Sequence, residues 1–167
     1  EEINQNSMVI DSVSKRYSMC GARIGCIISK NKQFIDTAMK FAQARLSPPT
    51  LAQIASTAAM DTGRDYFNSI INEYNKRRIT LIKGLKEING VTVSEPKGAF
   101  YCVVELPVKN SENFAKWMLE EYSLNNETIM IAPAGGFYST PNTGTNQVRI
   151  AYVLKESDLK SCINILK

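Results

Sequence analysis

The sequence contains no histidine. That absence excludes Ser-His-Asp and Cys-His catalysis and removes the commonest metal ligand. Any acid–base step on this chain therefore falls to Lys, Tyr, Cys or a carboxylate. Cysteine is sparse: Cys20, Cys26, Cys102 and Cys162 form no C-x-x-C pair and no zinc spacing, so neither a metal site nor a disulfide framework is expected. Cys102 falls in the apolar stretch Phe100 to Val104 and Cys162 on an apolar helix stripe, placements that suit reduced core thiols and a cytoplasmic setting. No apolar run approaches the roughly 20 residues of a bilayer span, so no membrane partner is expected. The opening Glu1-Glu2-Ile3-Asn4-Gln5-Asn6 lacks the basic and apolar regions of a signal peptide. It also lacks an initiator Met, so the chain is read as starting inside a longer protein.

What is present is an ordinary globular composition: 167 residues, 44% hydrophobic and 22% charged, enough for one sizeable domain or two small ones. Twenty basic residues against sixteen acidic ones give a formal charge of +4. The basic residues are dispersed and no nucleic-acid motif accompanies them, so no nucleic-acid partner is expected.

Met8 to Ile10 and the run Arg23 to Ser29 are short enough for buried strands, separated by the polar segment Asp11 to Gly21. Phe34, Ile35, Ala38, Phe41 and Ala42 follow a helical stripe that Ser47-Pro48-Pro49 stops, because proline removes a donor and restricts the residue before it. Leu51, Ile54, Ala55 and Ala58 mark a second helix. The strongest helical signal runs from Arg64 to Asn89, nearly 40 Å at about 1.5 Å per residue, long enough to bridge two domains, and ends at Gly90. Its basic residues Lys76, Arg77, Arg78, Lys83 and Lys86 read as an anion-binding face or as a solvated one. Beyond Gly90 the texture changes to strands at Val91–Val93, Ala99–Leu106, Thr128–Ala132 and Gln147–Val153. Helices over Glu112–Tyr122 and at the C-terminus accompany them, giving a compact α+β domain. The expected organisation is a first domain over residues 1–63 and a second over 64–167, entered by the long helix.

The polar segment is where chemistry concentrates. Ser12-x-Ser14-Lys15 leaves a strand end, and Gly21-x-Arg23-x-Gly25 follows within ten residues. Hydroxyls and a guanidinium donate to phosphate oxygens, and a neutral lysine amine can form an imine with a carbonyl compound. A loop lysine also reads simply as a solvated side chain. Arg149, inside Val148-Arg149-Ile150, faces opposite to its apolar neighbours, either as a carboxylate partner or on a solvated strand face.

Ser12-Val13-Ser14-Lys15 with Gly21-Ala22-Arg23-Ile24-Gly25 resembles the Schiff-base motif of the class I and II aminotransferases, pyridoxal-phosphate enzymes of fold type I. The resemblance continues, in the same order, through Ser47-Pro48-Pro49, Pro96 to Tyr101, Pro133 to Phe137 and Gln147 to Ala151. It implies an α/β fold: a C-terminal remnant of the large cofactor-binding domain followed by the small α+β domain. It implies that Lys15 forms the Schiff base with pyridoxal 5'-phosphate and then acts as the proton-transfer base. It also implies that Ser12 and Arg23 bind the cofactor phosphate and that Arg149 holds the substrate α-carboxylate. One departure is visible: Pro133-Ala134 stands where the family often has Pro-Gly, with Gly135-Gly136 as the substitute source of flexibility.

The implied activity is transfer of an amino group between an amino acid and a 2-oxo acid, with aspartate the expected donor and a homodimer the expected full-length assembly. The earlier half of the large domain is missing from the resemblance, so this chain alone is expected to be inactive. A carbon–sulfur lyase on the same scaffold, or a non-catalytic aminotransferase-like effector domain of a regulator, are the alternatives.

Overall fold

The structure, a computed structural model, describes residues 5–167. The chain divides into two compact units between Arg64 and Asp65.

The first unit opens with β1 (Met8–Ser12), a four-residue helix α1 (Val13–Arg16) and a 3-10 turn over Cys20–Ala22. Strand β2 (Gly25–Ser29) returns antiparallel to β1, pairing Ser12 with Gly25 and Met8 with Ser29. A Cβ at Gly25 would sit 2.9 Å from the Asp11 carbonyl, so this end of the ladder requires glycine. Helix α2 (Lys32–Arg45) is capped by Asn31, whose side chain accepts from the Phe34 amide at 3.0 Å. It ends at Leu46, which has φ of 73°, just before Pro48-Pro49, and α3 (Thr50–Ala59) follows. The two strands expected to be buried are mostly exposed, and among the described residues Val13 is the only buried apolar side chain of this unit. An antiparallel pair needs a covering layer to bury a face, and α2 and α3 leave Ile10, Phe41, Leu51 and Ile54 open to solvent.

The second unit begins with α4 (Arg64–Lys86), whose first residue is the last of the first unit. Strands β3 (Thr92–Val93) and β4 (Tyr101–Glu105) precede α5 (Ser111–Glu120). Strands β5 (Ala132–Pro133) and β6 (Gln147–Ala151) and helix α6 (Glu156–Leu166) complete it. The sheet order is β3-β4-β6-β5, antiparallel throughout. Leu81, Ile82 and Leu85 of α4 pack with Leu159 and Ile163 of α6 against Cys102, Val104 and Val148 of the sheet. A Cβ on Gly84 would lie 2.4 Å from the Ile163 Cδ1, so glycine there sets how closely α4 and α6 approach. Each fully buried leucine or valine of this kind contributes roughly 1.5–3 kcal/mol.

Two expected elements differ. The long helix stops at Lys86 rather than Asn89, and its last turns give way to short bonds from Ile88 to Leu85 and from Val91 to Ile88, with Gly90 at φ of 78°. The run Thr128–Ala132 enters the sheet only at Ala132. Upstream, the Thr128 hydroxyl donates to the Met118 carbonyl at 2.5 Å, and Ile129 is buried with Met118 and Ile165. Those residues bury their apolar surface against helices instead of in a ladder. Among the basic residues of α4, Arg77 donates to the Val153 carbonyl at 2.6 Å and Arg78 to that of Pro96 at 2.8 Å. These two arginines tie the helix to the sheet connections.

Candidate active site

Asp11 and Ser12 close β1, and Ser12 turns the chain into α1. Extended at φ of −152°, Ser12 accepts from the Ser14 amide at 3.0 Å through its side-chain oxygen and so caps the helix that carries Lys15. The Ser12 Oγ lies 2.8 Å from the Ser14 Oγ and 3.1 Å from the Ile24 carbonyl. Arg23 sits just past the 3-10 turn in the left-handed region, at φ of 56°, and its Nη1 donates to the Cys20 carbonyl at 3.1 Å. Asp11, the acidic group nearest in sequence, is paired with Arg16 at 2.6 Å.

Ser12, Ser14 and Arg23 line one groove of about 590 Å³ together with Asp11 and Arg45, and its remaining walls are apolar, from Ile10, Ile24 and Met39 among others. The structure thus brings Ser12 and Arg23, the two residues that the family resemblance places at a phosphate, into one groove with Ser14, the second hydroxyl of the polar segment. Lys15 is exposed on α1, next in sequence to Ser14. Two hydroxyls and a guanidinium are a donor set that fits a phosphate monoester.

Arg149 belongs to the second unit. On β6 it alternates with Val148, which is fully buried, while Arg149 is exposed on the opposite face. Its guanidinium carbon lies 5.1 Å from the ring centre of Tyr101 and 4.8 Å from that of Phe137. Neither ring was expected from the sequence: Tyr101 is on β4, two residues from the position opposite Arg149, and Phe137 comes from a turn that shows no periodicity. Among the described residues the Arg149 guanidinium has no hydrogen-bond or ion-pair partner, so its donors are open to a ligand.

The Pro133-Ala134 departure costs nothing locally. Ala134 is buried in the ordinary right-handed region at φ of −96°, and its amide donates to the Gln147 carbonyl at 2.8 Å. The 3-10 turn Gly135–Phe137 then leads away without a positive φ at either glycine. Among the described residues no cluster of three or more potential metal ligands occurs, and no helix is long and apolar enough to cross a membrane.

The sequence matches the family of aminotransferases of class I and II over residues 1–166. The chain belongs to that pyridoxal-phosphate-dependent family. It is 27% identical to the aspartate aminotransferase of Pyrococcus horikoshii, over 96% of this chain and 40% of that protein. It is 31% identical to the (5-formylfuran-3-yl)methyl phosphate transaminase of Methanocaldococcus jannaschii, over 100% of this chain and 43% of the relative. The crystal structure of the aspartate aminotransferase from Rhizobium meliloti superposes with a TM-score of 0.77 at 25% identity, covering 95% of this chain and 40% of that one. The fold is accordingly that of a fold type I aminotransferase, α/β with two small sheets. The chain spans about two fifths of the length of these relatives.

Proposed function

We propose that this chain is the C-terminal portion of a pyridoxal-phosphate-dependent transaminase that uses aspartate as amino donor and a 2-oxo acid as acceptor. The observation that carries the reading is the convergence of Ser12, Ser14 and Arg23 on one groove, with Ser12 capping the short helix of Lys15. The aspartate preference is supported by relatives that bear that name. When bound, pyridoxal phosphate supplies an aldehyde and a conjugated ring that absorbs negative charge from the substrate α-carbon.

The residues of this chain then divide the work. Arg23 offers charge-assisted donors to the cofactor phosphate, and the Ser12 hydroxyl adds a neutral one. The Lys15 amine would hold the cofactor aldehyde covalently and would serve as the base that takes the substrate α-carbon proton. Arg149 presents its planar fork to the substrate α-carboxylate, a geometry that lysine does not reproduce.

The full-length protein is proposed to act as a cytoplasmic homodimer. The 167-residue chain by itself is proposed to be inactive, since its first unit leaves most of its apolar surface uncovered.

In the full-length enzyme, Lys15→Ala is expected to abolish turnover. Arg149→Lys should lower kcat/KM about ten- to a thousandfold while cofactor binding stays nearly unchanged. Near-normal kcat/KM for Arg149→Lys removes the carboxylate role, and steady turnover by Lys15→Ala removes the transaminase reading.

A further inference from the structure

The guanidinium of Arg149 is engaged by two π-systems and by no acceptor among the described residues. Both ring distances fall within the roughly 6 Å over which a cation is attracted to an aromatic face. Tyr101 reaches Arg149 across the ladder: Arg149 stands opposite Val103, which makes Tyr101 its diagonal neighbour on the same sheet face. Phe137 is fixed from its own backbone, through its amide to the Ala134 carbonyl at 2.9 Å. The next residue, Tyr138, donates its hydroxyl to the Gln147 side chain at 2.6 Å, which ties the turn to the start of β6. A cation–π contact is made through the ring face, whereas a guanidinium hydrogen-bonds in its own plane, so the rings do not compete with a carboxylate.

We infer that Tyr101 and Phe137 are positioning residues that hold Arg149 in one pose, ready to take a planar carboxylate in its fork. The inference rests on Arg149 being the carboxylate partner and names what makes it effective. A free arginine side chain loses considerable rotamer entropy when it binds, and prior ordering removes that cost from the binding step. The rings themselves are about half exposed, at 40% for Tyr101 and 57% for Phe137, so replacing either removes little core.

The test uses the 167-residue chain, acetate as probe, and the Nε–H resonance of Arg149 followed by NMR. Acetate should shift that resonance saturably. Phe137→Leu and Tyr101→Leu should each weaken acetate binding about two- to fivefold. Phe137→Tyr, which keeps a ring, should restore it. Acetate affinity unchanged from wild type in both leucine variants, or no restoration by Phe137→Tyr, overturns the positioning role and leaves Arg149 as carboxylate partner. A wild-type Arg149 resonance that ignores acetate overturns the carboxylate reading itself, and the positioning role with it.

Discussion

In the first unit Ile10 is 73% exposed and Leu51 82%, whereas in the second Leu85 and Val104 are completely buried. Yet the two regions carry apolar residues at the same helical and strand spacings. Periodicity states which face of an element is apolar; it does not state whether the same chain supplies the surface that covers it. The second unit has that surface, because α4 and α6 lie over one face of a four-stranded sheet. The first has two strands, the one-turn helix α1 and the longer helices α2 and α3, too few layers to enclose a core. The proposed phosphate donors thus sit on a thinly covered scaffold, and the proposed carboxylate partner sits on a well-packed one.

Leu85→Ala attacks the packed side of this contrast and should destabilise the second unit by about 2–5 kcal/mol, read as a shift in the urea midpoint. A loss under about 1 kcal/mol would mean that the α4–sheet contact is loose in solution. Gly84→Val drives a branched side chain into Ile163 and should cost about 1–3 kcal/mol in the same assay.

Alkaline pH sharpens the contrast through titration. Burial pushes the Cys102 thiol up to about 11 from an ordinary 9.0. Burial also raises Cys162 and Tyr152. The folded state therefore holds the Cys102 proton after the unfolded chain has released it. That contribution is intact below pH 9 and is lost as pH rises toward about 11. The urea midpoint should fall over this window, and the fall should be shallower in Cys102→Ala.

The smallest effect belongs to the first unit: Ile10→Thr should change stability by no more than about 0.5 kcal/mol, since the side chain already meets solvent. A loss above about 2 kcal/mol would show that Ile10 is covered in solution and would erase the contrast.

Much of this architecture is legible in the sequence because it depends on local rules. The stripe from Phe34 to Ala42, the proline stop at Pro48-Pro49 and the Gly90 terminus map onto α2, its end and the end of α4 to within a few residues. The alternation around Arg149 correctly sets its face against buried Val148. What local rules miss is what long-range partners decide. Thr128 to Ile131 is rich in strand formers, yet the Met118 carbonyl and the Ile165 side chain claim that run. The same holds for the aromatic environment of Arg149. Tyr101 and Phe137 are 48 and 12 residues away in sequence, and only the β4–β6 register and the Ala134–Gln147 bond bring them to it. For the phosphate groove, the polar segment offers the Ser12 and Ser14 hydroxyls and Arg23, and the family resemblance names Ser12 and Arg23. Folding adds Arg45 to the lining and the ion pair that occupies Asp11.

The chemistry assigned to Lys15 is tested most directly by reductive labelling. The full-length protein would be incubated with pyridoxal phosphate, reduced with borohydride, digested, and its lysines mapped by mass spectrometry. A single pyridoxyl label on Lys15 is the expected result. A label on Lys30 or Lys32, with Lys15 unmodified, would contradict it.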